Sequence, residues 1–162
     1  MLKREVVWKI AEIVKNDLNL KIPIKSTELV SKLKKLDIKC IAEEDLNEDA
    51  IFCIINDEYI IKYNMNLSES SKVFSILAEF GYFLIYDHEN KHNFKSNIKT
   101  QKQRLNCNEF AASILMPAND FCFICKKYEN KGEVNVNKIA EYFNTTIQAT
   151  LMRGNVLRVW SY

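Results

Sequence analysis

Val73-Phe-Ser-Ile-Leu-Ala-Glu-Phe-Gly-Tyr-Phe-Leu-Ile-Tyr86 is a fourteen-residue stretch, apolar on nearly every side, with one carboxylate, Glu79, at its middle. A run of helical length that is hydrophobic all round predicts a buried helix, not a surface one. Two residues fit that environment poorly. Gly81 costs about 1 kcal/mol relative to Ala inside a helix, which implies close approach by another element. Glu79 has to be hydrogen-bonded, ion-paired or protonated, because an unpaired carboxylate is expensive in an apolar interior. Desolvation is expected to raise its pKa. The fold and any function should be organised around this helix.

Working outward, Ser68 is a fitting N-cap for the helix, which should end near Tyr86. Upstream, Ala50–Ile55 and Glu58–Tyr63 read as strands joined by Asn56-Asp57, residues that tolerate the positive φ of a tight hairpin. Asp37–Ile41 alternates as a third strand. Before it, Leu29, Val30, Leu33 and Leu36 give a helix from about Ser26. The first helix covers about residues 3–17, on the periodicity of Val6, Val7, Ile10, Ala11, Ile13, Val14 and Leu18. Downstream, residues 87–102 are polar and aperiodic and read as an exposed loop. A helix over about Arg104–Leu115 is stopped by Pro117, one more follows around Phe121–Tyr128, and two short ones span Val136–Phe143 and Thr146–Arg153. Helices, a short mainly antiparallel three-stranded sheet, then helices again define an α+β domain, and residues 1–162 are expected to form one such unit.

Composition narrows the class. The chain has 162 residues, 48% hydrophobic and 27% charged, which is ordinary for a globular protein. A net charge of +2 gives no reason to expect direct nucleic-acid binding. No apolar run approaches the roughly 20 residues of a spanning helix, so no membrane role is expected. Five cysteines at irregular spacing suit reduced thiols and a cytoplasmic location better than a disulfide framework. Cys122-Phe-Ile-Cys125 reads as two small core residues on an amphipathic helix, with a structural zinc site shared with His88 and His92 as the rival. Lys32-Leu-Lys-Lys35 reads as a solvated helix face.

Two blocks carry a more specific signal. Phe74-Ser-Ile-Leu-Ala-Glu-Phe-Gly-Tyr-Phe-Leu-Ile resembles the active-site helix of the ImmA/IrrE-type metallo-endopeptidases, whose pattern is close to F-T-L-A-H-E-L-G-H-Y-L-L. Asn106-Cys-Asn-Glu-Phe-Ala-Ala-Ser-Ile-Leu-Met-Pro117 is similar to that family's E-A-N-x-F-A-A-x-L-L-M-P. The resemblance covers about residues 23 to 157. It implies a small zincin-like fold and, in the family, proteolysis of a helix-turn-helix repressor, often on phages or other mobile elements.

In this register the residues that carry the chemistry are substituted. Ala78 and Tyr82 stand where the family has its two zinc-binding histidines, Asn106 stands at the third ligand, and only Glu79, the position of the general base, is kept. A zinc peptidase needs imidazoles at i and i+4 on one helix face plus a third donor. Ala has none, a neutral phenol is a poor ligand and an amide oxygen is weak for Zn²⁺. Without the metal, Glu79 has no polarised water to activate. The three ligand positions read as vestigial, with no cofactor expected.

A literal zinc motif follows in His88-Glu-Asn-Lys-His92, the only two histidines of the chain. Its flanks Asp87, Asn90, Lys91 and Asn93 are polar, and Asn106 lies 28 residues after Ala78 but only 18 after His88. It therefore reads as a polar segment beyond the helix. Glu109, at the variable position of the second block, reads as a solvated face residue. Two functions stay open. One is a pseudopeptidase that has lost its metal and still binds a helix-turn-helix repressor. The alternative is an active zinc endopeptidase using His88 and His92 or unusual ligands such as Tyr82.

Overall fold

The computed structural model describes residues 2–86 and 99–160. In chain order the elements are α1 (Arg4–Asp17), α2 (Ser26–Lys34), β1 (Ile38–Glu43), β2 (Ala50–Ile55), β3 (Glu58–Asn64), α3 (Glu69–Tyr86), α4 (Gln101–Leu115), α5 (Ala118–Lys127), the two-residue strands β4 (Glu129–Asn130) and β5 (Glu133–Val134), α6 (Val136–Phe143) and α7 (Ile147–Val156). This is the α+β arrangement expected from the sequence. No helix among the described residues is long and apolar enough to cross a membrane.

Local chemistry sets the element ends. Asn56 and Asp57 take φ of 51° and 62°, so β2 and β3 close through a two-residue turn with Ile55 opposite Glu58. The backbone N–H of Ser71 donates to the Ser68 hydroxyl, which caps α3 as its sequence predicts. Thr100 and Gln103 form a reciprocal capping box at the start of α4, so that helix begins about a turn earlier than its apolar periodicity indicates. A capping box is polar, and apolar spacing does not register it.

The sheet has the order β1-β3-β2. β2 and β3 are antiparallel, whereas β1 runs parallel to β3 with Ile38 opposite Tyr59. The sheet is therefore mixed: the hairpin forces one antiparallel pair, and the return across it places β1 beside β3 on the far side. Ile61, on the central strand, is fully buried.

α3 packs against β2 and β3 on one side and α4 on the other, and α4 in turn carries α1. Val73, Ile76, Leu77 and Phe80 of α3 are buried, as its all-round apolar pattern predicts. α1 buries Val7 and Ala11 but leaves Val6 and Ile13 exposed, because the latter two fall about 100° around the helix from that stripe.

Gly81 marks the closest approach of α3 and α4. A Cβ placed on it would lie 2.6 Å from Cδ1 of Phe110, a fully buried ring. The glycine lets that ring sit against the α3 backbone, and Phe80 meets the same ring edge-on at 6.3 Å between centroids. Gly81→Ala should lower stability in denaturant titrations by about 1–3 kcal/mol through overpacking, despite alanine's better helix propensity. Combined with Phe110→Leu, the two losses should be less than additive. An additive pair would show that Phe110 is not what requires the glycine.

Candidate functional site

Residues 79, 82 and 86 are spaced i, i+3 and i+7, so they follow one side of α3. Glu79 is buried, at 7% exposure. Its Oε2 accepts a 2.8 Å hydrogen bond from the backbone N–H of Phe52. Phe52 lies on β2, the outer strand beside β3, where alternate N–H groups point off the sheet and need an outside acceptor. Its Oε1 accepts from the Lys99 ammonium, completing an ion pair whose lysine side chain is only 14% exposed. The same ammonium lies 4.9 Å from the centroid of the Tyr82 ring. Tyr82 packs on Tyr86 at 5.7 Å between centroids, and the Tyr86 hydroxyl accepts a 2.5 Å hydrogen bond from Nδ2 of Asn106 on α4. Contacts thus run from Phe52 through Glu79, Lys99, Tyr82 and Tyr86 to Asn106.

Burial pushes the Glu79 carboxyl above the ordinary range, while Lys99 and the Phe52 N–H pull against that rise. The thiol of Cys107, beside this pair on α4, is pushed up to about 12 by burial, so it is no nucleophile at neutral pH.

Along the groove between α3 and α4 lies a cavity of about 490 Å³. Phe74 and Ser75 of α3, Asn106 and Glu109 of α4, and Met152 and Arg153 of α7 are among the residues that line it. Ser75 precedes Ala78 by one turn, and Asn106 borders both the cavity and the tyrosine pair, so cavity and Glu79 cluster are neighbours along the same two helices. Leu105 and Met152 on its walls are half exposed.

Comparison with known proteins bears on the whole arrangement. Residues 33–155 match the family model described as the IrrE N-terminal-like domain. The chain belongs to that family. A search of curated protein sequences found no match. Among solved structures, a Mycobacterium tuberculosis transcriptional regulator superposes with a TM-score of 0.67 at 12% identity, over 92% of this chain and 46% of that one. Identity that low shows a shared fold, and this IrrE-type domain spans under half the length of that regulator.

A zinc ion does not fit Ala78, Tyr82 and Asn106, the residues that the resemblance sets at its ligand positions. Ala78 offers no donor atom, Tyr82 a neutral phenol and Asn106 only a weak amide oxygen, while the Glu79 carboxylate beside them already holds an ammonium and a backbone N–H. Among the described residues, no three His, Cys, Asp or Glu side chains are grouped to hold a metal. His88 and His92 lie outside the described residues. Cys125 is buried in the core, with its thiol raised to about 12 by burial, and Cys122 beside it is partly buried.

Two residues depart from their sequence reading. Lys99 falls in the segment whose polar, aperiodic sequence predicts an exposed loop, yet it is largely buried against Glu79; the two stand 20 positions apart, and periodicity does not report such a pairing. Glu109, which its sequence position predicts to be a solvated face residue, is instead a hub. It accepts a 2.5 Å hydrogen bond from the Trp8 indole of α1 and a 2.8 Å bond from Arg153 of α7, with Arg4 3.9 Å away. Arg153, almost fully buried, also donates through Nε to the Met116 carbonyl at 2.9 Å. These partners are distant in sequence, so only the docking of α1 and α7 on α4 reveals them. The available signal was the presence of Trp8 and Arg153, two donors that seek acceptors when buried.

Arg153→Met strands the Glu109 carboxylate and the Met116 carbonyl, and thermal and denaturant unfolding should show a loss of roughly 3–5 kcal/mol. For Glu79 the sign follows from its raised folded pKa. Its contribution is fully present below the unfolded value near 4.5 and is lost as pH rises through the folded value. Wild-type stability measured against Glu79→Gln should therefore fall as pH rises across that interval. Lys99→Met should deepen the fall, costing roughly 3 kcal/mol where the Glu79 carboxyl is ionised and less at acid pH where it is protonated. A difference that does not change with pH would show that Glu79 is not desolvated.

Proposed function

We propose that this chain is a catalytically inactive IrrE-type domain, a pseudopeptidase of phage or mobile-element origin acting in the cytoplasm, which recognises a helix-turn-helix repressor without cutting it. The observation that carries the reading is the Glu79 carboxylate, at the position of the family's general base, holding Lys99 and the Phe52 N–H beside an Ala78 that has no donor atom. Metal-assisted hydrolysis depends on a Lewis acid that activates water and stabilises the developing oxyanion. At these positions the donors that would hold such an ion have been exchanged for a methyl, a phenol and an amide.

Binding is a separate property from hydrolysis, since recognition of a peptide segment uses surface beyond the reacting centre. The cavity of about 490 Å³ that borders Asn106 supports retained recognition, with apolar walls from Phe74, Leu105 and Met152 and polar groups from Arg4 and Glu109. Pockets of that size and make-up hold side chains of a bound segment.

The test is incubation with a repressor encoded by a neighbouring gene, read by pull-down and intact-mass spectrometry, with and without zinc. The expected result is co-purification of an uncut repressor under both conditions. Zinc-dependent, chelator-sensitive cleavage would overturn the reading in favour of an endopeptidase served by His88 and His92. Absence of binding would refute partner recognition.

A further inference from the structure

Glu79, Tyr82 and Lys99 form an arrangement that the loss of ligands does not by itself produce. When a metal site loses its donors, the carboxylate left behind needs only water, a proton or a neutral hydrogen bond. Here it holds a primary ammonium from a different part of the chain, seated on the carboxylate and over the face of the tyrosine at the second ligand position. The lysine is 14% exposed at its side chain and the carboxylate 9%, so both charges are largely withdrawn from water. A cation placed between a carboxylate and an aromatic face gains from both, and the gain grows as water is excluded. Asn106 meanwhile holds Tyr86, which packs on Tyr82 and keeps that face in place.

We infer that the Lys99 ammonium is the resident cation of this site, held by Glu79 and Tyr82, and that it bars a divalent metal from this turn of α3 even when ligands are supplied. The inference rests on the pseudopeptidase reading and deepens it. A doubly charged ion entering beside an ammonium in a water-poor site meets repulsion that exposed charges would escape. It would also compete for the same carboxylate. Restoring donors alone therefore leaves the site blocked.

The test compares two sets of substitutions in the full chain. The first carries Ala78→His, Tyr82→His and Asn106→Glu; the second adds Lys99→Met. Zinc affinity is read by competition with a chromogenic chelator, after circular dichroism confirms folding. The set including Lys99→Met should bind zinc at least 100-fold more tightly than the set that keeps Lys99. Affinities equal within threefold would overturn the inference while leaving the pseudopeptidase reading intact. Tight zinc binding by the unaltered chain would instead strike that reading.

Should the restored sets fail to fold, a cycle on the unaltered background decides the counter-ion claim. Lys99→Met should lower the melting temperature at pH 8, and Lys99→Met with Glu79→Gln should recover most of the loss. Lys99→Arg should retain more stability than Lys99→Met. Additive losses in the cycle would show that the ammonium does not serve Glu79, and would overturn the proposal.

Discussion

A carboxylate in the middle of an apolar helix is the constraint around which the rest of the site is arranged. Glu79 cannot be turned to bulk water, because α3 lies between the sheet and α4. Each of its oxygens therefore needs a partner supplied by the fold. The outer strand β2 provides one in the Phe52 N–H, a group that would otherwise face away from the ladder unpaired. The segment entering α4 provides the other in Lys99. One side chain thus ties together the sheet edge, the central helix and the start of the next helix.

The same helices show how close packing and charge pairing divide the work. At Gly81 the α3 backbone accepts the Phe110 ring directly, and contact there is purely apolar. Next to Phe110 on α4, Glu109 takes Trp8 and Arg153 from two other helices. Two ion pairs, Lys99 with Glu79 and Arg153 with Glu109, tie α4 and the segment entering it to α3 and α7. Buried pairs of this kind contribute little net stability over an apolar substitute, but losing one partner is costly. Their value lies in fixing which helix faces meet.

At the site itself, the Glu79 charge is met by partners from the chain. In an IrrE-type peptidase the general base works on water polarised by zinc, so its carboxylate must be available to that water. Here the carboxylate is neutralised by an ammonium and anchored to backbone. The cavity alongside is bounded by other residues of α3, α4 and α7.

The sequence by itself determined most of the elements and their order. Apolar periodicity, the Asn56-Asp57 turn and the Ser68 cap are local, and local preferences survive from sequence to fold. The matched blocks around Glu79 and Asn106 likewise fall on two helices that pack together. What only the tertiary structure decided were the partners: Lys99 for Glu79, Tyr86 for Asn106, Trp8 and Arg153 for Glu109, and the parallel pairing of β1 with β3. Each joins residues well separated along the chain. A charge pattern read along one helix describes a side chain's neighbours on that helix, whereas burial brings it neighbours from elements the pattern does not contain.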